Sequence, residues 1–173
     1  MLEQAAAQLK EGSYEGAIEA FSACLLVAPQ EASAFQGRAT ARFHIKDWAG
    51  AASDFKRAKE LDPEEPENWL GLGLTLAMQN QIYPAIEVFE TILQKRPDYV
   101  RAYIQLGVLH FKLVAIAKGR EYLQKALRLR PTLAERQLIE TALKEQDKLD
   151  QKRYHRPDFE ALRKRKEKGT DAS

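Results

Sequence analysis

Apolar and small residues recur along this chain at helical spacing, and they recur in blocks. Four residues after Ala17 stands Phe21, and three after that Cys24. The same run returns as Ala51, Phe55, Ala58, as Ala85, Phe89, Ile92 and, with leucine for the aromatic, as Gly119, Leu123, Ala126. An i, i+4, i+7 spacing places all three members on one helical face. Three residues ahead of each run sit Tyr14, Trp48, Ile82 and Ile116, and twelve after its first member come Pro29, Pro63, Pro97 and Pro131, so the columns share one interval of 34 residues. A proline cannot donate to the preceding turn and pushes the residue before it out of the α region, so each predicts a helix end.

The first half of each unit carries its own stripe: Phe35, Arg38, Ala39, Arg42; then Trp69, Leu72, Gly73, Leu76; then Tyr103, Leu106, Gly107, His110. Two helices per unit follow, joined at Gly12-Ser13, Lys46-Asp47, Asn80-Gln81 and Val114-Ala115. The first three pairs suit a turn and the fourth suits one poorly. Pro84 falls in the first turn of its helix, where its missing N–H has no intrahelical partner anyway.

These columns resemble the tetratricopeptide repeat, most closely at Trp69-Leu-Gly-Leu-Gly and Tyr103-Ile-Gln-Leu-Gly. The resemblance covers residues 1–133 and departs from the pattern at the start, where Gln4-Ala5 and Arg38-Ala39 replace Leu-Gly. It implies an all-α, right-handed superhelical solenoid of stacked helix-turn-helix units. The repeats are expected at 1–31, 32–65, 66–99 and 100–133, with a capping helix at 132–151 and a basic C-terminal extension at 152–173. A lone hairpin cannot bury both apolar faces, so neighbours must stack. In the capping segment Leu133, Leu138, Ile139, Ala142, Leu143 and Leu149 are interleaved with charged and amide residues, the pattern of an amphipathic closing helix. Residues 158–168 read as a further, short charged helix beyond Pro157.

Composition agrees: 45% hydrophobic and 30% charged residues with few glycines and prolines is a folded, helix-rich vocabulary. Cys24 is the only cysteine, so no intramolecular disulfide or thiolate metal site is available, and a reducing, cytoplasmic setting is expected. No signal-like or membrane-spanning stretch is evident. The charge is +2 overall, and it is skewed: residues 144–173 carry ten basic and seven acidic side chains while the body is close to neutral.

The resemblance also implies a concave groove lined by the first helices. Carried over position by position, its walls are Leu2, Ala6, Leu9 and Lys10; Gln36, Thr40, Phe43 and His44; Leu70, Leu74, Ala77 and Met78; and Arg101, Ile104, Val108, Phe111 and Lys112. Most are apolar, which points to an apolar or amphipathic segment of a partner protein held by an adaptor, scaffold or chaperone. The same pattern also fits core packing, or a groove plugged by the chain's own Phe159 and Leu162. The family's carboxylate clamp for acidic chaperone termini is not expected. Its positions hold Leu2, Ala6, Gly37, Glu67 and Gly71 in one register and Gln36, Thr40, Gly71, Arg101 and Gln105 in the next, and only Arg101 suits it.

No catalytic residues, metal site or cofactor are expected, and the chain does not read as an enzyme. His44, His110 and His155 sit in different units without an i, i+4 partner, and no phosphate-binding or nucleophile motif is present. His110 is read as a hydrogen-bonded packing residue, Cys24 as a buried spacer, and Glu64, Glu65 and Glu67 as solvated surface. Arg163, Lys164, Arg165 and Lys166 are either a solvated face or a contact for nucleic acid or an anionic membrane surface. Two further readings stand beside the adaptor: a client chaperone resembling those of bacterial secretion systems, and self-association through the shortened first repeat.

Overall fold

A computed structural model describes residues 1–154, which form nine α-helices and no strand. In chain order they are α1 (Leu2–Lys10), α2 (Tyr14–Val27), α3 (Ala32–His44), α4 (Trp48–Leu61), α5 (Pro66–Met78), α6 (Ile82–Lys95), α7 (Val100–Lys112), α8 (Ile116–Arg128) and α9 (Leu133–Tyr154). Consecutive helices pack as hairpins, and each of α1, α3, α5 and α7 touches the next odd-numbered helix, so these helices and α9 form the inner layer of an all-α solenoid.

Each hairpin turn closes in the same way. Gly12, Lys46, Asn80 and Val114 adopt left-handed backbone, with φ of 81°, 65°, 60° and 59°. The following amides of Ser13, Asp47, Gln81 and Ala115 donate back to the carbonyls of Gln8, Arg42, Leu76 and His110, each at 2.9 Å. That is a glycine-type helix stop, which satisfies the last orphan carbonyls. The fourth turn therefore forms in spite of its unsuitable residues, because the packing of α7 on α8 imposes it. The inter-repeat turns are less uniform. Ala28, Asp62 and Arg96 are extended before their prolines (ψ of 79°, 86° and 86°), whereas α8 ends through Leu129 at ψ 14° and Arg130 at φ 56° ahead of Pro131. Pro66 and Pro84 both lie in first helical turns, where neither removes a helical bond.

Small residues let the layers approach. A methyl group on Gly37 or Gly71 would overlap the rings of Phe21 and Phe55, so those glycines admit the preceding hairpin's aromatic into the next hairpin's helix. Within hairpins, the Cβ position of Gly73 lies 2.6 Å from Phe89 and that of Gly107 lies 2.6 Å from Leu123. Phe21, Phe55, Phe89 and Leu123 are all buried. The interior stripe of α3 is charged, and α4 neutralises it. Asp54, 3% exposed, accepts from Arg38 Nε at 2.9 Å and Nη2 at 2.8 Å and from Arg42 Nη1 at 2.7 Å, while Arg38 Nη1 reaches Ser22 Oγ at 3.1 Å. Two guanidiniums with access to solvent thus hold one buried carboxylate, which leaves it no unpaired oxygen.

The closing helix starts from a reciprocal cap: Thr132 N donates to Glu135 Oε2 at 2.8 Å and Glu135 N donates to Thr132 Oγ1 at 3.3 Å. It runs to Tyr154, three residues past the expected 151. Ile139, Ala142 and Leu143 pack with Ile104, Leu123 and Ala126. Leu133, Leu138 and Leu149, expected in the same packing stripe, are instead 74%, 59% and 60% exposed. Gln137, Glu140, Thr141 and Lys144 of α9 are exposed. The segment expected as a second charged helix, 158–168, lies outside the described residues.

Left-handed backbone costs an L-residue roughly 1–2 kcal/mol, and a β-branched one is the worst suited. Val114 is 55% exposed and loses little packing on replacement. Val114→Asn is therefore expected to stabilise the fold by about 1 kcal/mol, read as a higher urea midpoint; an unchanged or lower midpoint contradicts the strain.

Candidate functional site

The inner layer encloses a groove of about 620 Å³. Seen from α1 to α7, its walls are Leu2, Ala6 and Leu9; Ser33, Gln36, Gly37, Thr40, Phe43 and His44; Glu67, Leu70, Gly71 and Leu74; and Arg101, with the edges of Phe21 and Phe55 showing behind the two glycines. Gln36, Thr40, Phe43, His44, Leu70, Leu74 and Arg101 were all expected there, and the structure brings them together. Gly37, Glu67 and Gly71, expected only as clamp positions, and Ser33, not expected at all, also line it; the 34-residue column through Ser33, Glu67 and Arg101 was the signal that would have found Ser33.

Other expected lining residues are elsewhere. Ile104 is 4% exposed and belongs to the core between α7, α8 and α9. Phe111 packs toward that same cluster and against Gly119, and it faces a smaller cavity of about 320 Å³ shared with Gln146 and Leu149. Both are corrections to the sequence reading, and the reason is one helix: α9 lies against α7 and covers them. Ala77, Met78, Val108 and Lys112 lie outside the groove lining. Met78 and Lys112 are exposed, while Ala77 and Val108 are partly buried. Arg163, Lys164, Arg165, Lys166, Phe159, Leu162 and His155 lie outside the described residues.

Aromatic contacts build one wall. Phe43 meets Trp48 edge-on at 5.0 Å, and His44 stacks on Tyr14 at 4.5 Å with 5° between the rings. Thr40 Oγ1 donates to the Gln36 carbonyl at 2.9 Å. Across the groove, Arg101 Nη1 donates to both oxygens of Glu67 at 2.6 and 2.7 Å, and the Tyr99 hydroxyl donates to Glu67 Oε1 at 2.6 Å. Burial, then the hydrogen bond to Glu67, push the Tyr99 phenol well above its ordinary range, so it remains a donor. The single strong cation of the groove is therefore already paired with the carboxylate one repeat earlier.

The acidic residues near the second inter-repeat turn, expected as solvated surface, tie that turn together: Glu64 pairs with Lys95 at 3.0 Å and Glu65 accepts from the Glu67 amide at 3.2 Å. Cys24 is buried in the α2 core. His110 departs from expectation. It is buried and stacked on Tyr122 at 5.3 Å, but neither ring nitrogen has a hydrogen-bond partner among the described residues. Burial, then the charge of Lys118, hold its pKa below the ordinary 6.5, against the opposing pull of Glu90. Among the described residues no group of His, Cys, Asp and Glu is arranged to hold a metal ion, and no helix is long and apolar enough to cross a membrane.

The signature of the family described as Tetratricopeptide repeat matches residues 2–66 and 70–134. The chain is 29% identical over 130 residues to Protein CTR9 homolog of Arabidopsis thaliana, a match covering 73% of this chain and 12% of that protein, so the chain spans a small part of its curated relative. Its fold is similar to that of a thermophilic tetratricopeptide protein of Thermus thermophilus, with a TM-score of 0.73, 20% identity and coverage of 86% and 82%. It also resembles the second tetratricopeptide domain of human RPAP3, solved with the HSP70 peptide SGPTIEEVD: TM-score 0.59, 25% identity, coverage of 62% and 89%.

Because folded His110 takes up a proton less readily than free imidazole, the unfolded chain binds more protons in the window below pH 6.5. Its contribution to stability is complete above pH 6.5 and is lost as pH falls through the depressed folded value. His110→Leu is expected to shrink the drop in Tm between pH 7 and pH 5 relative to the native chain. An equal drop in both proteins contradicts the buried, unpartnered imidazole.

Proposed function

The chain belongs to the tetratricopeptide repeat family, and on that footing we propose that it is a non-catalytic, cytoplasmic adaptor or chaperone holding an apolar or amphipathic segment of another protein. The observation that carries this reading is the groove of about 620 Å³, in which Leu2, Leu9, Phe43, Leu70 and Leu74 from three successive repeats face one space. A solvated inner face gains nothing from such residues, whereas each apolar side chain that a partner covers contributes roughly 1.5–3 kcal/mol before the costs of association. Micromolar affinity is the natural scale. Gln36, Thr40, Ser33 and His44 supply a few polar contacts that orient the guest.

A terminal-carboxylate ligand fits this groove poorly. Glu67 stands among the positions where a clamp needs donors, and Arg101 is spent on Glu67 and not free for a guest. An arriving acidic terminus would have to displace the Arg101–Glu67 ion pair and sit beside the released carboxylate. The peptide SGPTIEEVD bound by the RPAP3 domain is thus a useful negative probe.

Affinity capture with the intact chain is expected to retain a partner that Leu74→Glu and Thr40→Arg lose while keeping native circular dichroism. A partner held equally by all three proteins removes the groove from the account. Calorimetric titration with SGPTIEEVD is expected to give no measurable heat, and binding that disappears in Arg101→Ala would contradict the exclusion.

A further inference from the structure

The second cavity, of about 320 Å³, lies apart from the groove. The groove takes from α7 only Arg101, in the first turn of that helix, whereas Phe111 of the second cavity is in the last turn, about 15 Å further along the axis. Phe111, Val114 and Ile116 form one side of the cavity, and the C-terminal part of α9 forms the other with Leu149, Asp150, Lys152 and Arg153.

Its floor is apolar and its rim is cationic. Val114 and Leu149 are exposed although both line this space. Asp150 already has partners: Gln146 Nε2 donates to its Oδ1 at 2.8 Å and Arg120 Nη2 donates to its Oδ2 at 3.3 Å. Lys152 and Arg153 are exposed and join no ion pair among the described residues. A large apolar side chain with carboxylates beside it complements such a cavity.

The chain carries that combination close by. Beyond Tyr154 its large apolar residues are Phe159 and Leu162. Phe159 stands between Asp158 and Glu160, whereas Leu162 leads into Arg163-Lys-Arg-Lys166, whose charge has the same sign as the rim. The step from Tyr154 to Phe159 spans at most about 18 Å, and Leu149 is only about 8 Å back along α9 from Tyr154. Pro157 disfavours helix in the residue before it, which suits a reversal of the chain at that point.

We propose that the chain's own Phe159 seats in this second cavity, with Asp158 and Glu160 beside Lys152 and Arg153. The C-terminal extension then closes the end of the solenoid against the α7–α8 turn and leaves the main groove open to a partner.

NMR of the methyl-labelled full chain tests this. Phe159→Ala is expected to move the methyl resonances of Val114, Ile116 and Leu149, through loss of the ring current, and to leave those of Leu70 and Leu74 in place. Lys152→Glu/Arg153→Glu is expected to produce the same shifts, and adding Asp158→Lys/Glu160→Lys to that variant is expected to reverse them. Methyls unmoved by the charge-reversed pair overturn the ionic complementarity. Three results of Phe159→Ala overturn the docking itself: shifts at Leu70 and Leu74 instead, which put the extension in the groove; shifts that grow with protein concentration, which put a second copy's Phe159 in the cavity; and no shift at Val114, Ile116 and Leu149, which leaves the cavity to another protein. Only the first of these also counts against the groove as the partner's site.

Discussion

A two-helix hairpin has more apolar surface than it can cover by itself, and the rest of this structure follows from how the next hairpin covers the remainder. The contact is narrow. Phe21 and Phe55 fit only because Gly37 and Gly71 leave a gap in the helix that receives them, and the interval of 34 residues repeats that arrangement before any side chain on the inner face is considered. Stability in such a stack is a sum of hairpin and interface contributions, so each inner helix is fixed by its neighbours and its inward side is released from packing duty. That release is what makes a groove available.

Two places show the constraint acting against local preference. Arg38 and Arg42 sit on an interior stripe, and the stack accommodates them by burying Asp54 between them instead of expelling them. Val114 adopts backbone that a β-branched residue disfavours, in the turn that closes with the Ala115 amide donating to the His110 carbonyl. At the last described helix, α9 packs Ile139 and Leu143 inward and leaves Leu133, Leu138 and Leu149 exposed.

The repeat, the helix pairs and the role of Pro84 were legible from the sequence because periodicity reports directly on which face a residue occupies. The central groove was legible for the same reason, through Gln36, Thr40, Phe43, Leu70 and Leu74. Ile104 and Phe111 were misplaced because periodicity assigns a face without saying what lies across from it, and α9 comes from outside the repeating register. The pairing of Arg101 with Glu67 was likewise hidden, since both residues occupy one column 34 positions apart and only the superposition of repeats brings them to 2.6 Å. His110 was placed correctly in the hairpin interior, but the lack of a partner for its ring is a property of neighbours that no spacing rule names.

The adaptor role proposed for this chain depends on a partner entering from the inner side of the solenoid. A photo-crosslinking amino acid placed at Thr40, on the groove wall, and separately at Ser53, exposed on the outer helix α4, tests that directly. The account predicts that a bound partner is trapped from Thr40 and not from Ser53. Trapping from Ser53 alone, or from both positions equally, would contradict it.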